Sequence, residues 1–262
     1  MFGWGNGSKV PVPNVWFREK GSNSMALKQL ADDLYILPGL VNVYILKTDA
    51  GLVVLDTGFP GRASKILDAV RSLGKAPDDV RHIVLTHCHP DHIGSAAALK
   101  RETGAIVWAH PLDAPMMEAG TTMRDGMCPS PGWRNLILSK ILAGKVATVE
   151  PVKVDRLIED GDRPDFAPDM TAIHIPGHCN GQLAFHWARH GGVLFPADAF
   201  ANRRGLKLPV ATEDPQLALA SIAKLGTFDF DKICVMHGSP VMQGGAAMFR
   251  QTQFDTFKKK GS

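Results

Sequence analysis

Residues 83–94 read Ile-Val-Leu-Thr-His-Cys-His-Pro-Asp-His-Ile-Gly, an apolar run that ends abruptly in three imidazoles and a carboxylate. A buried strand closing at Thr86 must therefore deliver His87, His89, Asp91 and His92 to one compact loop, with a helix following. Pro90 and Asp91 suit the turn and the helix N-terminus. Imidazole nitrogen and carboxylate oxygen are good ligands for zinc and similar divalent ions, and a catalytic site pairs such ligands with an open position for water. Residues two apart in an extended segment point the same way, so His87 and His89 can grip one ion. Asp91 and His92, displaced by the turn, can face a second. The bland alternative, ordinary surface or core histidines, does not account for so ordered a pattern.

The rest of the chain reads as sheets flanked by helices. Leu34–Leu37, Val41–Lys47 and Leu52–Leu55 are short, β-branched-rich runs broken by Pro38-Gly39 and Asp49-Ala50-Gly51, a strand meander. Residues 62–73 carry apolar side chains at helical spacing. His82–Thr86 is a strand, Ile93–Glu102 a helix closed by Gly104, and Ala105–Ala109 a strand. The second half echoes this, with strands at Thr171–Ile175, Leu183–Trp187, Gly192–Phe195 and Lys232–Met236 and helices at Pro215–Leu225 and Gly245–Phe257. Two similar halves suggest a layered α/β sandwich. Between them, a Met-, Gly- and Pro-rich segment at about 111–162, with a helical stretch near Trp133 to Leu142, reads either as a lid-like insertion or as packing over a sheet edge.

Further ligand types stand just past buried strands. His178 follows the run that ends at Ile175, Asp198 follows Val193 to Ala197, and His237 follows Ile233 to Met236. Strand ends are where sites of α/β proteins sit. Taken singly each is a satisfied loop residue; taken with the His87–His92 loop each is a ligand.

Composition bounds the partners. A net charge of +3 over 262 residues gives no warrant for nucleic-acid or membrane-surface binding and leaves a small-molecule substrate. No apolar stretch approaches the roughly 20 residues that span a bilayer. Four cysteines without a CxxC pair read as free thiols in a reducing compartment, which makes the cytoplasm the expected location. Residues 1–24 read as an N-terminal extension, or in part as cloning-derived sequence ahead of a second start at Met25, and residues 25–262 as a single domain.

With Leu55-Asp56-Thr57-Gly58, His87-Cys88-His89-Pro90-Asp91-His92, Gly177-His178, Asp198 and His237-Gly238 in this order, the chain resembles the metallo-β-lactamase superfamily from about Asp33 to Phe249. The resemblance implies a four-layer αββα sandwich with two divalent metal ions, zinc foremost and iron or manganese as alternatives. It implies that His87, His89 and His178 hold one ion, that Asp91, His92 and His237 hold the other, and that Asp198 bridges them. Asp56 would orient a histidine ligand; the alternative for it is a turn former in Asp-Thr-Gly. Asp198 looks more like the glyoxalase II, lactonase and phosphodiesterase branches than the true β-lactamases, whose largest subgroup has cysteine there. The stretch Ala199-Phe200-Ala201-Asn202 lacks the tyrosine typical of homoserine-lactone hydrolases.

The ligand set leads to a mechanism in which a hydroxide shared by two ions attacks an ester, lactone, thioester or related bond, with Asp91 orienting the nucleophile or relaying a proton. Arg203, Arg204 and Lys207 are either candidates for an anionic substrate group or part of a solvated loop, Met116, Met117, Met123, Met127 and Trp133 either form an apolar pocket wall or pack under the central segment, and Phe200 is a further candidate substrate contact. Competing readings are a mono-iron persulfide dioxygenase, a phosphodiesterase or β-lactam hydrolase of the same fold, and a non-catalytic binding protein.

Overall fold

The computed structural model describes residues 26–122, 126–130, 133, 135–137 and 148–258, the last six by their backbone. The first half runs β1 (Lys28–Ala31), β2 (Leu34–Leu37), β3 (Val43–Thr48), β4 (Gly51–Leu55), α1 (Ala63–Ser72), β5 (Val80–Val84), α2 (Pro90–Ile93), α3 (Ala96–Thr103), β6 (Ile106–Ala109), α4 (Ala114–Ala119), β7 (Cys128–Pro129) and β8 (Arg156–Leu157). The second runs β9 (Met170–His174), β10 (Leu183–Trp187), β11 (Val193–Phe195), β12 (Ala201–Asn202), β13 (Leu206–Lys207), β14 (Ala211–Thr212), α5 (Pro215–Leu225), β15 (Lys232–Ile233), β16 (His237–Gly238) and α6 (Gly245–Lys258).

The meander β1–β4 is antiparallel, and β5, β6 and β8 extend it in parallel to seven strands. A second sheet has the order β15-β11-β10-β9. The central strands of both sheets are buried on both faces, so they read as continuous apolar runs and period two sorts the side chains between layers. Along β3, Val43 and Ile45 pack toward Ile66, Leu67 and Val70 of α1 and Leu99 of α3, whereas Tyr44 and Leu46 pack toward the second sheet. Along β10, Leu183, Phe185 and Trp187 face the first sheet, and Ala184 faces Ile222 and Leu225 of α5 and Phe249 of α6. Three cores between four layers make the αββα sandwich that the family resemblance implies.

The halves are also sewn together by polar groups. Tyr44 donates its hydroxyl to the Val235 carbonyl at 2.7 Å, and Asn42 donates its side-chain amide to the carbonyls of Val235 and Gly238 at 2.9 and 2.8 Å. These bonds explain why the strand expected at Lys232–Met236 pairs as β15 over two residues: the carbonyls of Val235 and Met236 are taken from across the interface by Asn42 and Tyr44.

Two other boundaries differ from the sequence reading. The helix expected from Ile93 to Glu102 is broken at Gly94-Ser95 into α2 and α3. A Cβ on Gly94 would stand 2.3 Å from Pro60, and Ser95 spends its hydroxyl on the Phe59 carbonyl and the Arg62 amide rather than continuing the helix. Within 111–162, α4 was not legible, and Met117 on it is fully buried in the core between the first sheet and α1 and α3. Of the helix expected near Trp133 to Leu142, residues 133 and 135–137 are helical and the rest lie outside the described residues, as do residues 1–24 and Met123. Among the described residues no helix is long and apolar enough to cross a membrane.

Candidate metal centre

The donors singled out above lie just beyond strand ends or, for His237, in the short strand β16, and the sandwich brings them to one rim. The loop after β5 supplies His87, His89, Asp91 and His92; the loop between β9 and β10 supplies His178; the turn after β11 supplies Asp198; β16 supplies His237. His89 Nδ1 lies 3.1 Å from His87 Nε2 and 3.0 Å from His178 Nε2. Asp198 Oδ2 lies 3.6 Å from His178 Nε2 and 3.1 Å from His237 Nε2, and its Oδ1 lies 3.4 Å from His92 Nε2. Asp91 Oδ2 stands 3.8 Å from His92 Nε2 and 3.5 Å from His237 Nε2. Seven residues separated by up to 150 positions thus converge on one cleft.

In His87, His92, His178 and His237 a hydrogen bond at the outer nitrogen fixes the tautomer. A carbonyl can only accept, so His178 Nδ1 donates to Ala211 at 3.0 Å and His237 Nδ1 donates to Leu40 at 2.9 Å. Asp56, fully buried, accepts from His92 Nδ1, from the Thr86 hydroxyl and from the Thr86 amide, each at 2.8 Å. The Thr86 hydroxyl, having given its proton to Asp56, accepts from His87 Nδ1 at 2.9 Å. Four rings thereby turn Nε2 inward, an arrangement typical of metal-ligating histidine.

This donor set fits a cation better than it fits protons. One proton on His89 Nδ1 can satisfy at full strength one of the two lone pairs that face it, whereas a cation satisfies all three nitrogens. His92 Nε2 and Asp198 Oδ1 are buried and have no hydrogen-bond partner among the described residues. Leaving such groups unmatched costs about 1–3 kcal/mol each. The groups His87–His89–His178, His87–His92–Asp198 and Asp91–His92–His237 each bring their donor atoms within 4.8 Å of one another.

Electrostatics divide the rings. Burial holds His87 well below the ordinary imidazole value, lowers His178 and takes His89 to about 3, so these three are neutral. Burial pulls on His92 and His237 too, but the carboxylates outweigh it: Asp198, Asp91 and Asp56 hold His92 well above its usual range, and Asp198 raises His237. Burial would raise Asp198, yet His237 and His92 hold it well below the carboxylate range.

Local backbone is forced at two of these points. Asp56 has φ +56° and Ala197, just before Asp198, has φ +46°, the left-handed region that non-glycine residues occupy at a cost of about 1–3 kcal/mol. Both lie at the carboxylates that bind or face the imidazoles.

The substrate-contact expectations divide. Phe200 is buried against Phe249 in the outer core and Met117 is buried under α1 and α3, so neither lines the cleft. Arg203 and Arg204 are exposed on the turn between β12 and β13, and Trp133 is 69% exposed. Cys88 turns away from the imidazoles, toward Met116 Sδ at 3.9 Å. Sequence reasoning missed Thr86 and Gln182, whose side-chain oxygen accepts the Asp198 amide at 3.2 Å. Thr86 had a signal, a hydroxyl at the end of an apolar strand next to His87; Gln182 had none.

A sandwich with its donors gathered at the rim between the two sheets defines a class, and comparison with known proteins gives the same one. A family model described as the metallo-beta-lactamase superfamily matches residues 36–237, and the chain belongs to that superfamily. Among curated relatives it is 29% identical over 167 residues to the uncharacterized protein YobT of Bacillus subtilis, which covers 63% of this chain and 64% of that protein. The chain thus spans just under two thirds of that relative's length. It is 25% identical over 209 residues to the N-acyl homoserine lactonase of Bacillus thuringiensis, 70% of this chain and 73% of the lactonase. Among solved structures, BJP-1, a subclass B3 metallo-beta-lactamase of Bradyrhizobium japonicum, superposes with a TM-score of 0.67 at 25% identity, covering 90% of this chain and 95% of that one.

Proposed function

We propose that the chain is a metal-dependent hydrolase with a dinuclear centre, zinc foremost, that cleaves an ester, lactone, thioester or related bond of a small molecule. His87 Nε2, His89 Nδ1 and His178 Nε2 hold one ion, Asp91, His92 Nε2 and His237 Nε2 hold the other, and Asp198 reaches both. The observation that carries the reading is the position of Asp198, one oxygen facing His92 and the other facing His178 and His237. Two ions held there would supply a water acidic enough to act as nucleophile near neutral pH and Lewis acidity toward a substrate carbonyl.

The chain's own residues supply the rest. Asp56, Thr86 and the carbonyls of Leu40 and Ala211 keep the protons on the outer ring nitrogens, so the inner lone pairs stay available. Asp91 is more open than Asp198, with 23% of its side chain exposed against 9%, and it faces the cleft beside His237. It takes a proton from the attacking water or passes one to the leaving group. Arg203 and Arg204 offer charge to an anionic part of the substrate, and Trp133 an apolar face. The lactonase relative supports an oxygen ester or lactone within the bond class. The free thiols Cys88, Cys128, Cys179 and Cys234 accord with a cytoplasmic location.

The test is metal analysis joined to a panel of chromogenic esters, lactones, thioesters, phosphodiesters and a cephalosporin, run on zinc, manganese and iron forms. Close to two ions per chain and turnover of an ester or lactone are expected. An Asp198→Ala protein that kept full metal content and full turnover would overturn the reading. Oxygen consumption with a persulfide on the iron form would replace it by the dioxygenase alternative.

A further inference from the structure

Asp113 occupies the N-cap of α4, where an aspartate ordinarily accepts from the first backbone amides of its own helix, yet it makes no such bond. Its carboxylate is fully buried and turned the other way. Oδ2 accepts the Cys88 amide at 2.9 Å, and Oδ1 accepts the Gly181 amide at 2.9 Å. The Cys179 thiol also points at Oδ2, at 3.4 Å. Cys88 stands between His87 and His89; Cys179 follows His178, and Gly181 lies three positions beyond it. One carboxylate therefore grips the two loops, one from each sheet, that carry the three converging imidazoles.

Gly181 is shaped for this grip. A Cβ there would sit 2.4 Å from Asp113 Oδ1 and 2.5 Å from its Cγ, so no other residue lets the carboxylate come so close. Charge-assisted bonds to backbone amides are roughly twice as strong as neutral ones, and two from a single rigid group fix spacing as well as orientation. The loops touch elsewhere, where the Leu183 amide donates to the Thr86 carbonyl at 2.8 Å, but that bond lies at the strand ends and not beside the imidazoles.

We propose that Asp113 is a positioning residue for the candidate metal centre, its carboxylate setting the distance between the His87–His89 loop and the His178 loop and so assembling the three-imidazole ion site. This rests on the reading of the rim as a metal centre, and it distinguishes the ions: the His87–His89–His178 site draws on both loops that Asp113 joins, whereas Asp91, His92 and His237 do not include the His178 loop.

The experiment is zinc affinity by competition with a chromophoric chelator, with apo-protein melting as a control. In a His237→Ala background, which leaves the three-imidazole site, Asp113→Asn is expected to weaken zinc binding by about 10- to 100-fold, since the amide can accept from one loop but not from both. In a His178→Ala background the same substitution is expected to leave zinc affinity little changed. Gly181→Ala, which crowds the carboxylate without removing it, is expected to reproduce the pattern. Equal losses in both backgrounds, or none in either, would overturn the proposal. So would loss of the cooperative apo melting transition in both the Asp113→Asn and Gly181→Ala proteins, which would assign the carboxylate to the fold as a whole. Failure of the functional reading shows separately: a wild-type chain that binds no zinc removes the centre itself, while one that binds two ions and hydrolyses nothing on the panel leaves the role of Asp113 standing.

Discussion

Asp56 Oδ2 and His92 Nδ1 lie 2.8 Å apart in a fully buried contact, and the same oxygen accepts the Thr86 hydroxyl that in turn receives His87 Nδ1. One carboxylate thereby sets the tautomer of two rings, one in each of the two donor groups. Asp56→Asn keeps the shape but puts an amide where an anion faced three donors. Zinc affinity is expected to fall by about 10- to 100-fold at the centre. Chelator competition reads it, and unchanged affinity would remove Asp56 from the metal account.

Removing metal should also loosen the whole molecule, because the donors come from both sheets. An ion that binds the folded state alone adds about 2.7 kcal/mol at a free concentration about one hundred times its Kd. For a chain of this size that is an upward shift of roughly 5–10 °C in Tm. Calorimetry with graded zinc, and then with excess chelator, measures it. A Tm indifferent to zinc would mean the rim holds no zinc.

Away from the centre, burial together with the stacked ring of His174 pushes His110 from 6.5 down to about 4. The unfolded chain then binds a proton at a higher pH than the folded one. Stability present above pH 6.5 is therefore lost as the pH falls toward about 4, and no further loss arises from this group below that. Urea denaturation of the apo-protein across this window should show that slope, and His110→Gln should reduce it by one group's share, leaving the part that His87, His89 and His178, also lowered by burial, contribute.

Gly238 has φ +103°, and a Cβ on it would meet the Asn202 carbonyl oxygen at 2.0 Å. It sits in β16, paired in parallel with β12, directly after His237. Gly238→Ala must push the two strands apart, at a cost of about 1–3 kcal/mol for overpacking. Zinc content should fall along with the urea midpoint, since His237 moves with its strand; a stable protein with full zinc would contradict the arrangement.

How much of this was legible beforehand varies with the physics involved. The His87–His92 loop was readable because its donors are adjacent in sequence. The central strands of both sheets were readable because they are buried on both faces, so apolar runs mark them plainly. His178, Asp198 and His237 could be nominated as lone polar residues past apolar strands, but which ring nitrogen each presents depends on carbonyls such as Leu40 and Ala211, whose neighbours are chosen by the tertiary fold. Phe200 and Met117 were read as pocket residues because composition does not distinguish a side chain lining a cleft from one filling a core; the packing of Phe249 and of α1 and α3 decides it. Gln182 and the turned-away N-cap Asp113 left no local mark, since their partners are distant backbone amides.

The seam at which Asn42 and Tyr44 receive residues 235–238 has a consequence for the order in which the molecule is made. A ribosome releases His87 and His89 about 150 residues before His237, so the nascent chain exposes a partial set of imidazoles long before the strand that completes it emerges. Any ion captured at that stage is held by fewer donors and exchanges readily with its surroundings. On the proposed reading, selection among competing cations waits until the segment that carries His237 has locked against Asn42.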